Sequence, residues 1–426
     1  MQTQESNPAP TAIVMNMFYT GLGVARSLWE RGIPVIGLSA HREACGNFTR
    51  CAKVMVAPDS KECPDQLLDF LLKLRGSLPE AAIIFPTRDQ DVLFLDRFRE
   101  LLQPLFRLVL PDRSALAIAL DKNETARVAV AAGMPTPGTW EIHSKADLLR
   151  ILPDLRFPLV LKPVSAHHWR QGGNWQLVGN RKAIGVFSAE EMLEEYERIA
   201  RADSRVLVQE MVPGGDDCLF IAACYFDQSS RFVAGFALQK LLQSPAVFGT
   251  GCIVQTIELP ELVEMAGQFL ERIGYNGIAE VEFKYDSAAS EYKLIEINPR
   301  PWDQHRLGNA CGVDLIYITY CDLARRPGPA IPRQTAGDRW IAEDVLLWHV
   351  LRSFWKRNGE FRSLLRMIRG HRVYSMWSWR DPLPFLGFFT FRFLPDLIGR
   401  TVSYLRLRIG SRSPSKRELP YEKCKS

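Results

Sequence analysis

The stretch EYKLIEINPRPW, residues 291–302, has the apolar and β-forming residues of a strand but carries Glu296, Asn298 and Arg300 two positions apart. Side chains two apart on a strand share a face. A carboxylate and an amide oxygen are hard ligands of the kind that hold Mg2+, and a guanidinium suits a carboxylate or a phosphate. A second strand, GIAEVEFKYD (277–286), pairs with the first as a hairpin and places Glu280 and Glu282 on one face. Acids on otherwise apolar strands need a compensating cation, because an unpaired buried carboxylate is very costly. One such glutamate would read as ordinary surface charge; four convergent polar groups do not. Glu282, Glu296 and Asn298 are therefore candidate metal ligands. Glu280 is either a ligand or a group behind the ligands, and spacing leaves that open.

The elements that must position these groups alternate between strand and helix. AIVMNM (12–17), IPVIGLSA (33–40) and AAIIFPT (81–87) read as strands. A glycine turn and helix follow the first, and a helix from about Asp89 follows the third. That alternation predicts a parallel sheet with helices on its faces. The Gly21–Gly23 pair lacks the third glycine of a dinucleotide loop and reads as a tight strand-to-helix turn. DKNETARVAVAAG (121–133) predicts a helix ended by the prolines of MPTPGTW. FPLVLKP (157–163) predicts a strand ending in Lys162. SAEEMLEEYERIA predicts a helix with a capping box from Ser188 to Glu191. RVLVQEMVPGG (205–215) predicts a strand running into a turn, followed by further strands through FVAGFALQKL and a helix at 260–273.

Bulk properties agree with a soluble globular enzyme. The 426 residues suggest two or three domains, and 47% hydrophobic with 24% charged residues is ordinary. The nine cysteines include no CxxC pair, so neither a zinc site nor a disulfide framework is indicated and a reducing, cytoplasmic setting is expected. The amino terminus shows no signal-peptide pattern. The net charge of +5 is uneven: residues 339–426 hold 18 Lys and Arg against 7 Asp and Glu, so the remainder is mildly acidic.

In order along the chain, these pieces resemble the ATP-grasp superfamily of ligases over roughly residues 1–325. The resemblance implies an α/β architecture: a Rossmann-like pre-ATP-grasp domain (1–111) and a two-lobed ATP-grasp domain (112–325), with lobes at about 125–205 and 206–325. It implies ATP as substrate with two Mg2+ ions, Mn2+ being the alternative. Lys122 and Lys162 resemble the two nucleotide lysines. QEMVPGGDD resembles the hinge between lobes: Glu210 would accept from the adenine amino group beside Gln209, the backbone of Met211 and Val212 would read the base, and Asp217 would hold the ribose. Lys240 resembles a further phosphate-contacting lysine, and Glu282, Glu296 and Asn298 match the two-magnesium site. Arg300 matches an arginine that stabilises the transferring phosphoryl group and the carboxylate substrate.

The physics is consistent with this, since phosphoryl transfer is mostly positioning and charge stabilisation. In this superfamily a substrate carboxylate becomes an acylphosphate that an amine then attacks. A lid that excludes water is expected at 165–180, where Gly172 and Gly173 could offer N–H groups to phosphate and His167 and His168 are candidate contacts or surface residues. Lys182 matches a lysine common after the lid. Biotin-carboxylase-like members carry a catalytic Glu where Gln304 stands, which speaks against bicarbonate chemistry. The PTRD turn (86–89) and the EINPRPW strand are similar to the carboxylate–amine ligase branch that includes D-aspartate ligase. The expected function is ligation of a carboxylate to an amine, with amino-acid or peptide-like substrates. A catalytically inactive ATP-binding scaffold recruited through the basic tail is the alternative. A dikinase would need a phosphohistidine carrier domain, for which the sequence shows no sign.

Residues 326–339 read as a linker. Beyond them, 340–426 is basic and rich in Trp, with apolar residues at helical spacing, and predicts a helical extension. Its basic faces suit peripheral contact with an anionic membrane at the inner face. Packing on the core, or on a second copy in a homodimer, is the other reading. LPFLGFFTFRFLPDLIG (383–399) is broken by Arg392, Asp396 and prolines and falls short of a clean span. No nucleic-acid motif accompanies the tail.

Overall fold

A computed structural model describes residues 9–164, 169, 174–356 and 360–395. The candidate lid residues His167, His168, Gly172 and Gly173, and the tail beyond 395, lie outside the described residues. Three sheets organise the rest. The first is parallel, in the order β3-β2-β1-β4-β5. Its strands are β1 (Ala12–Met15), β2 (Val35–Ser39), β3 (Lys53–Val56), β4 (Ile83–Phe85) and β5 (Arg107–Leu108). β1, β2 and β4 are buried along their whole length, as strands covered on both faces must be.

The second sheet runs β6-β9-β7-β8, from β6 (Thr139–Ile142), β7 (Leu159–Pro163), β8 (Ile184–Val186) and β9 (Val206–Glu210). β9 is antiparallel to both β6 and β7. The boundary expected at about 206 therefore moves: 206–210 belongs to the smaller lobe, because its ladder partners lie there. One face of this sheet packs Leu159, Leu161, Val206 and Val208 against the helix Ala189–Ile199. That helix starts as predicted, with the Ser188 hydroxyl accepting from the Glu191 N–H.

The third sheet is antiparallel except at one edge, in the order β14-β13-β10-β11-β12-β15-β16. It comprises β10 (Leu219–Phe226), β11 (Phe232–Ser244), β12 (Thr250–Ile257), β13 (Gly277–Asp286), β14 (Glu291–Asn298), β15 (Arg339–Ile341) and β16 (Arg372–Tyr374). The last two strands are short additions to a helical extension. β15 pairs with β12 and carries β16 beside it, so the chain after the linker completes the large sheet before and between its helices. The linker itself is pinned: the Gln334 side chain bonds Ala237 and Ile257 backbone groups.

The extension also grips the first domain. Asp381 pairs with Arg26 at 2.9 Å, both side chains 1% exposed, and accepts from the Thr49 hydroxyl and the Arg50 N–H. Met376 packs with Leu22 and Cys45, flanked by Phe385 and Phe388. The described part of the extension thus packs on the core. Among the described residues no helix is long and apolar enough to cross a membrane.

Breaking a buried ion pair from one side leaves the other charge stranded, at a cost of about 3–5 kcal/mol. Asp381→Ala should lower unfolding free energy by roughly that amount. A loss below about 1 kcal/mol in urea titrations would show that the extension does not clamp the first domain through this pair.

Candidate active site

The large sheet changes character along one face. Near the first domain this face is apolar, with Ala234, Phe236 and Leu238 of β11 and Ile278 of β13 in a core shared with β1 and β4. The same alternation continued outward gives Lys240 on β11 and Glu280, Glu282 and Lys284 on β13, which line a cleft of about 450 Å3 facing the small sheet. Hairpin register sets Glu282 opposite Glu296 and Glu280 opposite Asn298. After Glu282 the register shifts, leaving Ile295 as an extra residue. This bulge sends Leu294 and Ile297 into the core while Ile295 and Glu296 both line the cleft.

Cations meet these acids. Lys240, 4% exposed, donates to Glu282 at 2.6 Å, and Lys122 donates to Glu296 at 2.6 Å. Lys122 is the first residue of the helix Lys122–Ala131, fixed by Asp121, whose carboxylate accepts from the Asn123 and Glu124 N–H groups. Lys162 reaches in from β7 and donates to Gln209 of β9 at 2.6 Å. Gln209 in turn donates to the Thr139 hydroxyl.

Burial opposes charge on all three lysines, and their partners decide the outcome. Lys122 and Lys240 are held above the ordinary lysine range because Glu296 and Glu282 outweigh desolvation. Among the described residues no carboxylate pairs with Lys162, so burial and the nearby Lys122 charge push it down to about 8. Lys122 chiefly holds the Glu296 carboxyl well below the usual range, against burial. Glu280 goes the other way: burial, then repulsion from Glu282, raises it well above the usual range. It accepts from the Asn298 amide at 3.0 Å and so buttresses that side chain.

Arg300 donates Nε to Asp89 at 2.6 Å and Nη2 to the Asn298 oxygen at 3.3 Å. Burial disfavours its charge, but Asp89 raises it above the ordinary arginine range. Asp89 was visible in sequence only as the last residue of the PTRD turn and the start of the helix that follows. Nothing in the spacing linked it to an arginine 211 positions away.

Glu210, Met211 and Val212 line the cleft. The Glu210 carboxylate accepts from the Gly138 N–H at 2.9 Å, and the Met211 N–H is committed to the Pro158 carbonyl. Asp217 departs from expectation. It sits exposed in the short helix Asp216–Cys218, outside the residues that line the cleft, where its carbonyl accepts from Gln239. Gln304 is buried and donates to the Gly251 carbonyl. His305 is driven down to about 3 by burial and donates Nε2–H to the Thr20 carbonyl. The Gly21–Gly23 pair lies inside the helix Tyr19–Trp29. A Cβ on Gly21 would stand 1.9 Å from the Asn16 carbonyl oxygen, and one on Gly23 would stand 2.6 Å from His305 Nε2. Close packing inside this helix, where the sequence reads as a tight strand-to-helix turn, accounts for both glycines.

Among the described residues no three His, Cys, Asp or Glu side chains converge into a ready metal cage. The donor set of Glu282, Glu296 and Asn298 nevertheless fits a hard divalent ion that takes its remaining ligands from phosphate and water.

Comparison with known proteins agrees with this arrangement. Residues 252–322 match the family described as carbamoyl-phosphate synthase L chain, ATP binding domain. The chain is 30% identical over 312 residues to the D-aspartate ligase of Enterococcus faecium, spanning 70% of this chain and 72% of that protein. It is 25% identical over 228 residues to a D-alanine–D-alanine ligase of Pseudomonas putida, covering 49% of this chain and 65% of the relative, just under two thirds of its length. An ADP complex of N5-carboxyaminoimidazole ribonucleotide synthetase superposes with a TM-score of 0.61 at 14% identity, covering 79% of this chain and 82% of that one. A parallel first domain, a cleft between two sheets and a lysine–glutamate cluster on paired strands are thus joined to the sequence of a known ligase over most of both chains, and the chain belongs to the ATP-grasp superfamily, in the branch that includes D-aspartate ligase.

Proposed function

We propose that this protein is an ATP-dependent ligase that joins a carboxylate, of an amino acid or peptide-like molecule, to an amine through an acylphosphate. The observation that carries this reading is the pairing of Lys122 with Glu296 and Lys240 with Glu282 in one cleft. Those pairs are balanced without ligand. A triphosphate would draw the lysines to itself, and the carboxylates left behind would need a new cation. Glu282, Glu296 and Asn298 would then hold Mg2+, which supplies positive charge against the phosphates during transfer.

The chain's own residues supply the rest. In this reading Val160 and Val212, which line the cleft, wall the adenine end, and Glu210 beside them would accept from the base. With the Met211 N–H engaged, reading of the base falls to Val212 and the backbone carbonyls. Asp217 is retained as a ribose contact only if Asp216–Cys218 turns toward the cleft. Lys162 and Lys240 steady the phosphates, and Arg300 faces the transferring group and the carboxylate that receives it. The relatives named D-aspartate ligase and D-alanine–D-alanine ligase support an amino-acid substrate.

Two measurements test the reading. Phosphate release should require Mg2+, ATP, an acid and an amine together, and Glu296→Gln should cut it at least about 100-fold. Retained activity in Glu296→Gln would refute the metal assignment, and ATP binding with no turnover on any acid–amine pair would point to the inactive scaffold.

The second test uses Lys162. Its charge is present below about 8 and lost above it, so phosphate attraction weakens as pH rises. KM for ATP in the wild type should climb by up to about tenfold per pH unit above 8, whereas Lys162→Arg, charged throughout, should show a flat profile. Parallel profiles for the two proteins would remove Lys162 from phosphate binding.

A further inference from the structure

We propose that the carboxy-terminal extension carries a docking surface for an anionic lipid bilayer, with Trp379, Leu383 and Leu386 entering the acyl boundary and neighbouring arginines held at the headgroups. The proposal is independent of the ligase reading and concerns a part of the molecule that shares no lining residue with the cleft.

Large apolar side chains stand in solvent there. Trp379 is 87% exposed, Phe391 73%, Leu383 53% and Leu386 47%. The helix Leu383–Phe388 accounts for two of them. Its Pro384 and Gly387 are buried, and a Cβ on Gly387 would stand 2.5 Å from the Phe48 ring, so this side is pressed against the first domain. Leu383 and Leu386, three apart on another side of the helix, are left to solvent. Trp379 meets Trp377 edge to face with ring centroids 5.1 Å apart, and Trp377 meets Phe385 at 5.5 Å, so a packed aromatic base holds the exposed indole. An open groove of about 860 Å3 adjoins it, walled by Leu346, Leu347, Tyr374, Trp377 and Trp379. Apolar clusters of this kind on a protein surface mark places where something else is bound.

Charge says what that is. Between 361 and 395 the sequence has one acid, Asp381, against six arginines: Arg362, Arg366, Arg369, Arg372, Arg380 and Arg392. All six are exposed. The acids nearby are committed elsewhere: Asp381 to the buried Arg26, Asp338 to His371, and Glu343 to the Ser375 hydroxyl and the Met376 and Trp377 N–H groups. The sequence beyond 395 holds eight Lys and Arg against three Asp and Glu, so it shares the sign of this surface and does not complement it. A second copy related by a two-fold axis would set the arginines against themselves. A single-stranded nucleic acid could stack on the tryptophan but would gain nothing from Leu383 and Leu386. An anionic bilayer complements both features, because apolar side chains bury area at the headgroup boundary while arginines attract acidic lipids. Contact is along the surface, since among the described residues no helix is long and apolar enough to cross.

The test is flotation of the full chain with phosphatidylcholine vesicles, with and without phosphatidylglycerol, at low and high salt. Binding should be at least about tenfold tighter to the anionic vesicles and should weaken as salt rises. Arg380→Gln and Arg392→Gln should each weaken it about fivefold, the loss expected for one charge beside an anionic leaflet. Trp379→Ala should weaken it by about tenfold through lost apolar burial. These are changes to exposed side chains, so Tm should stay at the wild-type value. Brominated acyl chains should quench the wild type more than Trp379→Phe. Equal affinity for the two vesicle types, or no binding to either, would overturn the proposal. Binding that survives Trp379→Ala combined with Arg380→Gln would also overturn it and make the basic chain beyond 395 the anchor. So would a dimer, formed without vesicles, that Trp379→Ala dissociates.

Discussion

The cleft is organised by the cost of burying charge. Glu282, Glu296, Lys122 and Lys240 project from apolar strands and a helix start into a space closed by two sheets, and none could stay ionised there alone. Each lysine meets its own glutamate at 2.6 Å, so the pairs fix the relative positions of four separate elements. Lys122 ties the start of its helix to β14, and Lys240 ties β11 to β13 across the intervening β10. The same pairing makes the site responsive, because an anion that competes for the lysines unbalances the glutamates. A site assembled this way is shaped before its ligands arrive but is electrically complete only with them.

The helix Tyr19–Trp29 transmits a second constraint. On one side the large-sheet lobe holds it, through Thr20 to Asp303, Ser27 to Asp314 and His305 to the Thr20 carbonyl. On the other the carboxy-terminal extension holds it, through Tyr19 to Asp344 and Arg26 to Asp381. Its amino-terminal turn lines the cleft. Among the described residues the extension reaches the cleft through this helix and through β15 beside β12, and the helix follows the strand β1 just after Asn16, so the acceptor end of the cleft is built jointly by regions some 300 residues apart in sequence.

What the sequence disclosed followed from short-range geometry. Glu296 and Asn298 could be placed on one face because a strand repeats every two residues, and the opposition of Glu282 and Glu296 followed from reading a hairpin. The bulge at Ile295 could not be read, since Leu294, Ile295 and Ile297 are interchangeable as apolar residues until the register is known. The union of Arg300 with Asp89 depends on how two domains dock, which no local pattern encodes. The strands Arg339–Ile341 and Arg372–Tyr374 were hidden for a related reason: each is three residues long and becomes a strand only because an edge of the large sheet is available beside it.

The hinge segment is equally instructive. Asp217 follows Glu210 by seven residues in the resemblance, and the backbone turns at Gly214, with φ +103°, before the short helix that carries it. A spacing rule survives along a strand, where each residue advances the chain by a fixed step. It fails across a glycine turn, where direction is set by backbone angles that the spacing does not record. Trp302 shows the converse. It follows β14 after two prolines, yet its burial against Phe236 and His305 fixes its ring, so a residue outside any regular element becomes one of the more rigidly placed parts of the wall. Position in this cleft is therefore conferred by packing at least as much as by secondary structure, and residues that distinguish one substrate from another can lie where sequence periodicity is silent.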